Sequence, residues 1–561
     1  MISIGISCFY HDSSVCLVKD GKVLLAVEEE RFSGIKHDNS FPHKSLKWVI
    51  EESRISFEEV EEVCFYEKPL IKTHRIVTTC LRNLQIVDAF KFAVKGVSQY
   101  NELRKKLKWM FSNAKIKFFS HHDSHIGYSY LTSPFETAAV LSVDGVGEWE
   151  TTVLAKANKN DWEKLETTEF PNSLGMFYST FTAFLGFKPN EGEYKVMGLA
   201  PYGNPRTFID KFRDIIYPSK KGIYKLNMKM FDYHKSDEVM FTSELSNHLG
   251  LLPRLPNEEL TQQHKDLAAS VQFIYEMYFF RLLKQLHKQT KCDNLVLSGG
   301  CAYNGTANGK INKKTGFKNI WIPPAPSDSG SSIGSCLISY YRGNDILRLD
   351  NTNPYLGPKF SKEYIGYTLK NHNNKLLYKK ISDEEIIDFI STEISNGKVV
   401  AWFEGRLEFG ARALGHRSIF ADPTNPTMKN KINQIVKKRE GFRPFAPIVT
   451  NEAKNFYFEW DKEVPYMNQI VSVRKEYRSK LPAITHIDGT ARIQTLKKEQ
   501  CSRVYELLNS LDKKNGFPII LNTSFNVKDQ TMILDPDIAI KTFLDTELDI
   551  LVLENYIVTK K

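Results

Sequence analysis

The alternation of apolar and polar positions sketches most elements of the chain. Ile2 to Phe9 is apolar and β-prone, and Ser14 to Val18 follows it as a second strand. Asp20-Gly21 makes a hairpin turn, and Lys22 to Val27 returns. A similar pattern recurs later: Thr137 to Val143 is apolar, Asp144-Gly145 turns, Thr151 to Ala155 runs back, and Trp162 to Thr167 reads as a third strand. Two copies of a hairpin, each with an Asp in its first turn, predict a duplicated α/β unit with a cleft between its halves, the plan of the actin, hexokinase and sugar-kinase superfold. Helical periodicity marks His43 to Ser53 and Leu267 to Gln289, and a buried strand spans Asn294 to Leu297. Trp321 to Gly334 reads as a loop entering a helix.

From about Arg342 to Asn374 the periodicity weakens and Asn, Gly, Pro and Lys dominate. This predicts an N-terminal domain over 1–345, a linker over 346–374 and a C-terminal domain over 375–561. In the last, Asp383 to Asn396 and Asp535 to Leu544 read as helices, and Lys398 to Phe403, Pro518 to Leu521 and Ile550 to Leu553 as strands. At 561 residues the chain is too long for one ordinary core. The fold class is therefore α/β in two domains.

No apolar run reaches the roughly 18–20 residues that a membrane span needs, and the first residues lack a basic stretch followed by a long apolar one. A cytoplasmic protein without a membrane partner is expected. The eight cysteines form no CxxC pair, which argues for free, mostly buried thiols and against a zinc ribbon. The net charge is +10, and residues 401–450 hold nine Lys and Arg against four Asp and Glu, so that window supplies +5, half of the total.

Five segments carry candidate chemistry. In HHDSH at 121–125, His121 and His125 lie at i and i+4, which on a helix puts both rings on one face, while His122 points elsewhere. Asp144 in its turn and Asp328 in SDSG occupy positions where a duplicated fold aims side chains into its cleft. Two imidazoles and two carboxylates suit Fe(II), with Mn or Zn as alternatives. LSGGCAYN at 297–304 allows close backbone approach to an anion, although Gly-Gly alone also makes plain turns. EGEYKVMGLAPYG at 191–203 reads as a loop presenting Lys195. Arg406, Arg412, Arg417, Lys437, Arg439 and Arg443 sit among Gly, Phe and Pro rather than acids, which favours a phosphate pocket over a solvated basic face. Aromatics spaced along an open basic groove are not evident, so nucleic acid is not the favoured partner. LNTSFN at 521–526 places several small hydrogen-bonding groups at a strand end.

Taken together, these segments resemble the ATP-dependent O-carbamoyltransferases of antibiotic and nodulation-factor biosynthesis. FYHDS at 9–13, EEERF at 28–32, KHDNSFP at 36–42, HHDSH, VDG at 143–145, GEYKVMGLAPYG, LSGGCAYN, PSDSGSSIG at 326–334, GARALGHRSI at 410–419, REGFRPFAP at 439–447 and LNTSFN occur in the family's order. The resemblance implies an actin-like (ASKHA) N-terminal domain and a YrdC-like C-terminal domain. It implies that carbamoyl phosphate and ATP, with Mg2+, form carbamoyl adenylate and pyrophosphate, and that the carbamoyl group then passes to a hydroxyl of a small natural product or saccharide. By the same resemblance His121, His125, Asp144 and Asp328 hold iron. Arg412, Lys437, Arg443, Asn522 and Ser524 bind carbamoyl phosphate and the adenylate, Lys195, Gly299, Gly300 and Asn304 complete the cofactor-binding set, and Lys437 and Arg443 count among the catalytic residues with His11 and Lys36. His11 and Lys36 fall on the acceptor side of the N-terminal cleft, with His11 the candidate base or positioning group. A homodimer is the assembly considered. The chain departs from the family after LNTSFN, where it reads VKDQTMI, and after HHDSH, where Ile126-Gly127 stands in place of alanine. Three other readings fit parts of this pattern: a small-molecule kinase of the actin fold, a tRNA threonylcarbamoyl-type enzyme, and a non-catalytic actin-class chaperone or filament protein.

Overall fold

A computed structural model describes residues 1–219, 223–236 and 238–561. The chain divides into two compact units: Met1–Glu29 with His37–Thr352, and Glu30–Lys36 with Asn353–Lys561. The short N-terminal piece Glu30–Lys36 thus belongs with the second unit. The stretch read as linker contains a helix, Lys362–Asn371, whose Ile365 and Leu369 enter the second unit's core. Its two buried apolar residues stand four apart among Lys, Tyr and Asn, too sparse a stripe to register as a periodic face.

The first unit is built on two five-stranded sheets of one topology. Strands β1 (Ile2–Ser7), β2 (Ser14–Lys19), β3 (Lys22–Glu28), β4 (Glu62–Phe65) and β5 (Lys115–Phe118) lie in the order β3-β2-β1-β4-β5. Pairing is antiparallel within the first three and parallel from β1 to β4 to β5. The second sheet repeats this with β6 (Thr137–Val143), β7 (Glu150–Asn158), β8 (Asp161–Glu169), Asn294–Ser298 and Asn319–Trp321. Here too the first three are antiparallel, and β6 is parallel to Asn294–Ser298 and that strand to Asn319–Trp321. The duplication is therefore real, but the equivalence of its turns differs from the expectation. Asp144 follows β6, so its counterpart is the β1–β2 connection holding His11 and Asp12. Asp20-Gly21 joins β2 to β3 and corresponds to Lys159-Asn160 between β7 and β8. Asp20 and Lys159 adopt left-handed φ values of 49° and 52°, as tight hairpin turns of this kind require.

Two buried helices, His121–Leu131 and Asp328–Tyr341, pack at close range. A Cβ on Gly334 would lie 1.9 Å from the Ser124 carbonyl oxygen, and one on Gly127 would lie 2.5 Å from Cγ1 of Ile338. Only glycine permits this approach. Gly127, the departure after HHDSH, is thus a packing requirement.

The second unit centres on an eight-stranded sheet. Its order is Leu376–Lys380, Tyr556–Lys560, Ile550–Leu553, Val400–Phe403, Arg417–Ala421, Ile519–Ser524, Ala446–Thr450, Gln494–Leu496. The helix Asp383–Ser395 begins at a Ser382/Glu385 capping box, and Pro536–Leu544 begins at Asp535, whose side chain accepts from the Ile538 N–H. Strand Arg417–Ala421 lies inside the segment read as a basic block. All five of its residues are buried, so the alternation that marks a half-exposed strand is missing. Among the described residues, no helix is long and apolar enough to cross a membrane.

Candidate functional site

In the first unit, helix His121–Leu131 holds His121 and His125 one turn apart, β6 ends at Asp144, and Asp328 opens helix Asp328–Tyr341. One donor atom from each of the four lies within 4.8 Å of the others, and all four residues are buried. His121 Nε2 stands 2.9 Å from Asp144 Oδ2 and 3.6 Å from Asp328 Oδ1. His125 Nε2 stands 3.3 and 3.4 Å from the same two oxygens. The two imidazole nitrogens face each other at 3.0 Å.

These four residues fit a metal ion. Asp328 is wholly buried, and neither of its carboxylate oxygens has a hydrogen-bond partner among the described residues. A buried carboxylate in that state needs a cation. Outer contacts fix the inner ones: Ser331 Oγ is 2.9 Å from His125 Nδ1, and the Gly300 N–H donates to Asp144 Oδ1 at 2.9 Å. Burial opposes charging His125, but Asp144 and Asp328 outweigh it and raise its pKa to about 9. Burial likewise opposes the Asp144 carboxylate, and bonds from His121 and His125 hold its pKa well below normal. His122 turns away as expected, with Nδ1 at 2.8 Å from Ser142 Oγ and Nε2 at 3.0 Å from the Glu150 carbonyl.

His11 flanks this cluster, its Nε2 3.9 Å from Asp328 Oδ2 and its Nδ1 3.0 Å from Asp12. Burial lowers its basicity, yet Asp328 and Asp12 raise the pKa to about 10. The connection that carries it is strained, with φ of 76° at Phe9 and 52° at Asp12.

The Gly-Gly turn serves the same cluster. Gly299 has φ of +81°, a Cβ there would lie 2.3 Å from the Val143 carbonyl oxygen, and Gly300 donates to Asp144. Asn304 pairs with Gln272, each amide nitrogen 3.1 Å from the other's oxygen, and caps Ala307. Lys195 lies on a short helix, Glu193–Leu199, rather than a loop, its ammonium 5.5 Å from the Phe187 ring centre. The small and turn-forming residues around it masked that helix.

The second unit gathers positive charge. Lys437 is 2% exposed. Its ammonium donates to the Asn526 carbonyl at 2.8 Å, to Asn526 Oδ1 at 2.7 Å, to Ser524 Oγ at 3.4 Å and to the Ser524 carbonyl. It follows a single π-helical turn, Lys431–Val436, closed by the Lys437 N–H bonding to the Ile432 carbonyl at 2.8 Å. Such turns re-aim the residue after them and cluster at functional sites. Burial, then the charges of Arg439, Arg443 and Lys36, depress the Lys437 pKa well below normal. Lys36, expected on the acceptor side of the N-terminal cleft, folds with the second unit. Asn522 donates to the Ala413 carbonyl at 3.0 Å while its own Oδ1 is buried without a partner among the described residues.

Sequence reasoning missed Arg492. It is half-buried, its enclosed Nε lacks a partner among the described residues, and burial followed by Arg412, Arg439 and Arg443 pulls its pKa well down. It lies some 50 residues from the basic block and shares no motif with it. Two arginines of that block are structural. Arg417 is wholly buried and donates to the carbonyls of Glu404, His416, Gly405 and Pro358 at 2.5–3.4 Å, with its guanidinium 3.5 Å from the Phe403 ring centre. Arg406 donates to the Gly357 carbonyl at 2.9 Å.

Comparison with known proteins agrees with two such units. The chain is 40% identical to an uncharacterised protein of Synechocystis sp., over 99% of this chain and 96% of that protein. It is 35% identical to Nodulation protein NolNO of Sinorhizobium fredii, over 99% of this chain and 79% of the relative. It is also 35% identical to Nodulation protein NolO of Bradyrhizobium diazoefficiens, over 79% of each chain. A solved structure, (R)-2-hydroxyglutaryl-CoA dehydratase component A of Acidaminococcus fermentans, matches 61% of this chain and 98% of its own at 14% identity and a TM-score of 0.33. Residues 3–337 match the carbamoyltransferase N-terminus model and residues 391–560 the carbamoyltransferase C-terminus model, so the chain belongs to the carbamoyltransferase family and is an enzyme that transfers carbamoyl groups.

Proposed function

We propose that this carbamoyltransferase activates its carbamoyl group as an adenylate at the Arg/Lys cluster of a YrdC-like C-terminal unit, and delivers it to a small-molecule hydroxyl at the His/Asp cluster of an actin-like N-terminal unit. The observation that carries the reading is the convergence of cationic side chains around buried Lys437 and half-buried Arg492. Arg439, Arg443 and Lys36 bear on the first and Arg412, Arg439 and Arg443 on the second, with Glu440 paired to Arg443 at 3.3 Å. An anion relieves such a concentration of positive charge, and guanidinium forks match phosphate oxygens.

A carbamoyl carbon is a poor electrophile because nitrogen donates into the carbonyl, and adenylation supplies a better leaving group. Water first releases inorganic phosphate from carbamoyl phosphate. The carbamate oxygen then attacks the α-phosphorus of Mg-ATP, and pyrophosphate leaves. In the transfer step the acceptor oxygen attacks the carbamoyl carbon, AMP leaves, and the hydroxyl proton must be removed. Lys437, Arg443, Arg412 and Arg492 would neutralise phosphate charge as the anhydride forms and breaks, with Asn522 and Ser524 at the polar end of the pocket. His11 would orient the acceptor beside Asp328. His121, His125, Asp144 and Asp328 would hold Fe(II), and a metal there supplies Lewis acidity toward an oxygen of the ligand.

The test is isotope exchange. Full-length, metal-loaded protein is mixed with carbamoyl phosphate, Mg-ATP and labelled pyrophosphate, without acceptor. Label entering ATP only when carbamoyl phosphate is present is the expected result. Absence of exchange from folded protein overturns the adenylate route.

A further inference from the structure

A second group of metal-type donors converges in the C-terminal unit, built from residues that the carbamoyl chemistry above does not use. Strands Val400–Phe403 and Arg417–Ala421 pair antiparallel with Phe403 opposite Arg417. Glu404 and His416 therefore leave the sheet side by side, and the Glu404 N–H donates to the His416 carbonyl at 3.0 Å. Cys501 is the N-cap residue of helix Ser502–Asn515 and is 5% exposed. The Cys501 sulfur, a ring nitrogen of His416 and a carboxylate oxygen of Glu404 lie within 4.8 Å of one another.

Contacts from behind hold two of the three donors, and each of the two keeps one atom free of hydrogen bonds among the described residues. His416 Nδ1 is 2.7 Å from the Arg406 carbonyl, where it can only donate, so the lone pair is on Nε2. Its ring stacks on Tyr355 at 3.7 Å, and the Tyr355 hydroxyl donates to the Leu414 carbonyl at 3.0 Å. Glu404 Oε2 accepts from Trp402 Nε1 at 2.8 Å and lies 3.9 Å from Arg503. Neither Glu404 Oε1 nor His416 Nε2 makes a hydrogen bond among the described residues. A locked imidazole with a carbonyl behind it, a half-satisfied carboxylate and a buried thiol form the pattern of ligands held by outer contacts.

We propose that Glu404, His416 and Cys501 bind a thiophilic divalent cation, zinc in the first instance, at a site separate from the His/Asp cluster. One sulfur, one imidazole and one carboxylate suit tetrahedral zinc with a fourth position left for water. A dication balanced by one thiolate and one carboxylate is neutral overall, which an enclosed site requires. Glu404 and His416 are the two ends of the loop that carries Arg412. The ion ties those ends to the first turn of helix Ser502–Asn515 and closes the loop, which stabilises it by removing loop freedom. That closure sets the position of Arg412, a consequence that rests on the proposed function, whereas the metal site itself does not.

Cobalt separates the two sites in the full-length protein, because only cobalt bound to a thiolate gives an intense near-ultraviolet charge-transfer band, and the His/Asp cluster has no sulfur. Chelator-stripped protein is titrated with Co2+, and folding is checked by circular dichroism. The expected result is one thiolate–cobalt centre per chain in the wild type and in His121→Ala, displaced by one equivalent of Zn2+. Cys501→Ser abolishes the band, and His416→Asn and Glu404→Gln, which leave the thiol in place, weaken binding at least tenfold. Folded wild type that takes up cobalt without the band overturns the site, as does a band that persists in Cys501→Ser. If the site binds but the His416→Asn variant keeps its KM for carbamoyl phosphate, the placement of Arg412 by the ion is wrong and the metal site stands.

Discussion

Replacing Lys437 by Met separates ligand binding from folding at one position. The side chain keeps its length, and the ammonium with its four hydrogen bonds to Ser524 and Asn526 is lost. Leaving those oxygens unpartnered costs about 1–3 kcal/mol. Against this, a buried cation facing Arg439, Arg443 and Lys36 disappears, and relief of repulsion and desolvation is worth a similar amount. The ligand-free variant should therefore unfold within about 1–2 kcal/mol of the wild type. Phosphate binding has no such compensation: one lost charge-assisted contact to a doubly charged anion costs about 2–4 kcal/mol, or roughly 30- to 1,000-fold in carbamoyl-phosphate-dependent exchange. The sign of the pH effect follows from the depressed pKa. Folded, ligand-free protein binds fewer protons at Lys437 than the unfolded chain does, so its stability relative to the Met variant rises with pH between the depressed value and the ordinary 10.5. A bound phosphate restores the ammonium and suppresses that rise. Denaturant unfolding with and without carbamoyl phosphate, at several pH values, beside pyrophosphate exchange, measures all three. A variant that is strongly destabilised yet exchanges normally would show Lys437 to be a structural pin and refute the reasoning.

Arg417→Met should behave in the opposite way, losing about 3–5 kcal/mol because four backbone carbonyls lose a buried donor; denaturant melts check it. His11→Ala should abolish carbamoyl transfer while leaving pyrophosphate exchange unchanged, a split visible by running both assays on one preparation. His121→Ala should remove the metal of the first unit, measured by elemental analysis, without altering exchange. Gly334→Val should force helix Asp328–Tyr341 away from the Ser124 carbonyl, where the wild-type gap for a Cβ is 1.9 Å, and lower both stability and metal content, the former by about 1–3 kcal/mol or more.

The parts of this protein that were legible in its sequence are those whose signal is local. The i, i+4 spacing of His121 and His125 fixes a shared helix face whatever the surroundings, and the structure keeps it. The repeat of strand patterns at β1–β3 and β6–β8 announced a duplication, but a pattern repeat does not say which turn matches which. Only pairing shows that Asp144 answers His11 and Asp12 rather than Asp20. The Gly-Gly turn after Asn294–Ser298 reads equally as a plain turn or an anion loop, because glycine marks close backbone approach without naming what approaches. Here the approaching group is Asp144, whose carboxylate accepts from Gly300.

The basic segment shows the same limit in charge. A count of nine cations against four acids marks a concentration of charge but does not apportion it, because burial decides what each guanidinium does. Arg417, wholly enclosed, uses its donors on carbonyls of its own loop, whereas Arg492, distant in sequence and silent in motif, completes the positive cluster. Lys36 reaches that cluster because Glu30–Lys36 folds with the second unit, and Arg31 there donates to the Gly410 carbonyl at 3.0 Å, on the loop that carries Arg412. Lys36, expected on the acceptor side of the N-terminal cleft, thus folds with the second unit. Its substitution should therefore be scored first on exchange: Lys36→Met that exchanges normally but fails in transfer would return the residue to the acceptor, and loss of exchange would keep it with Lys437.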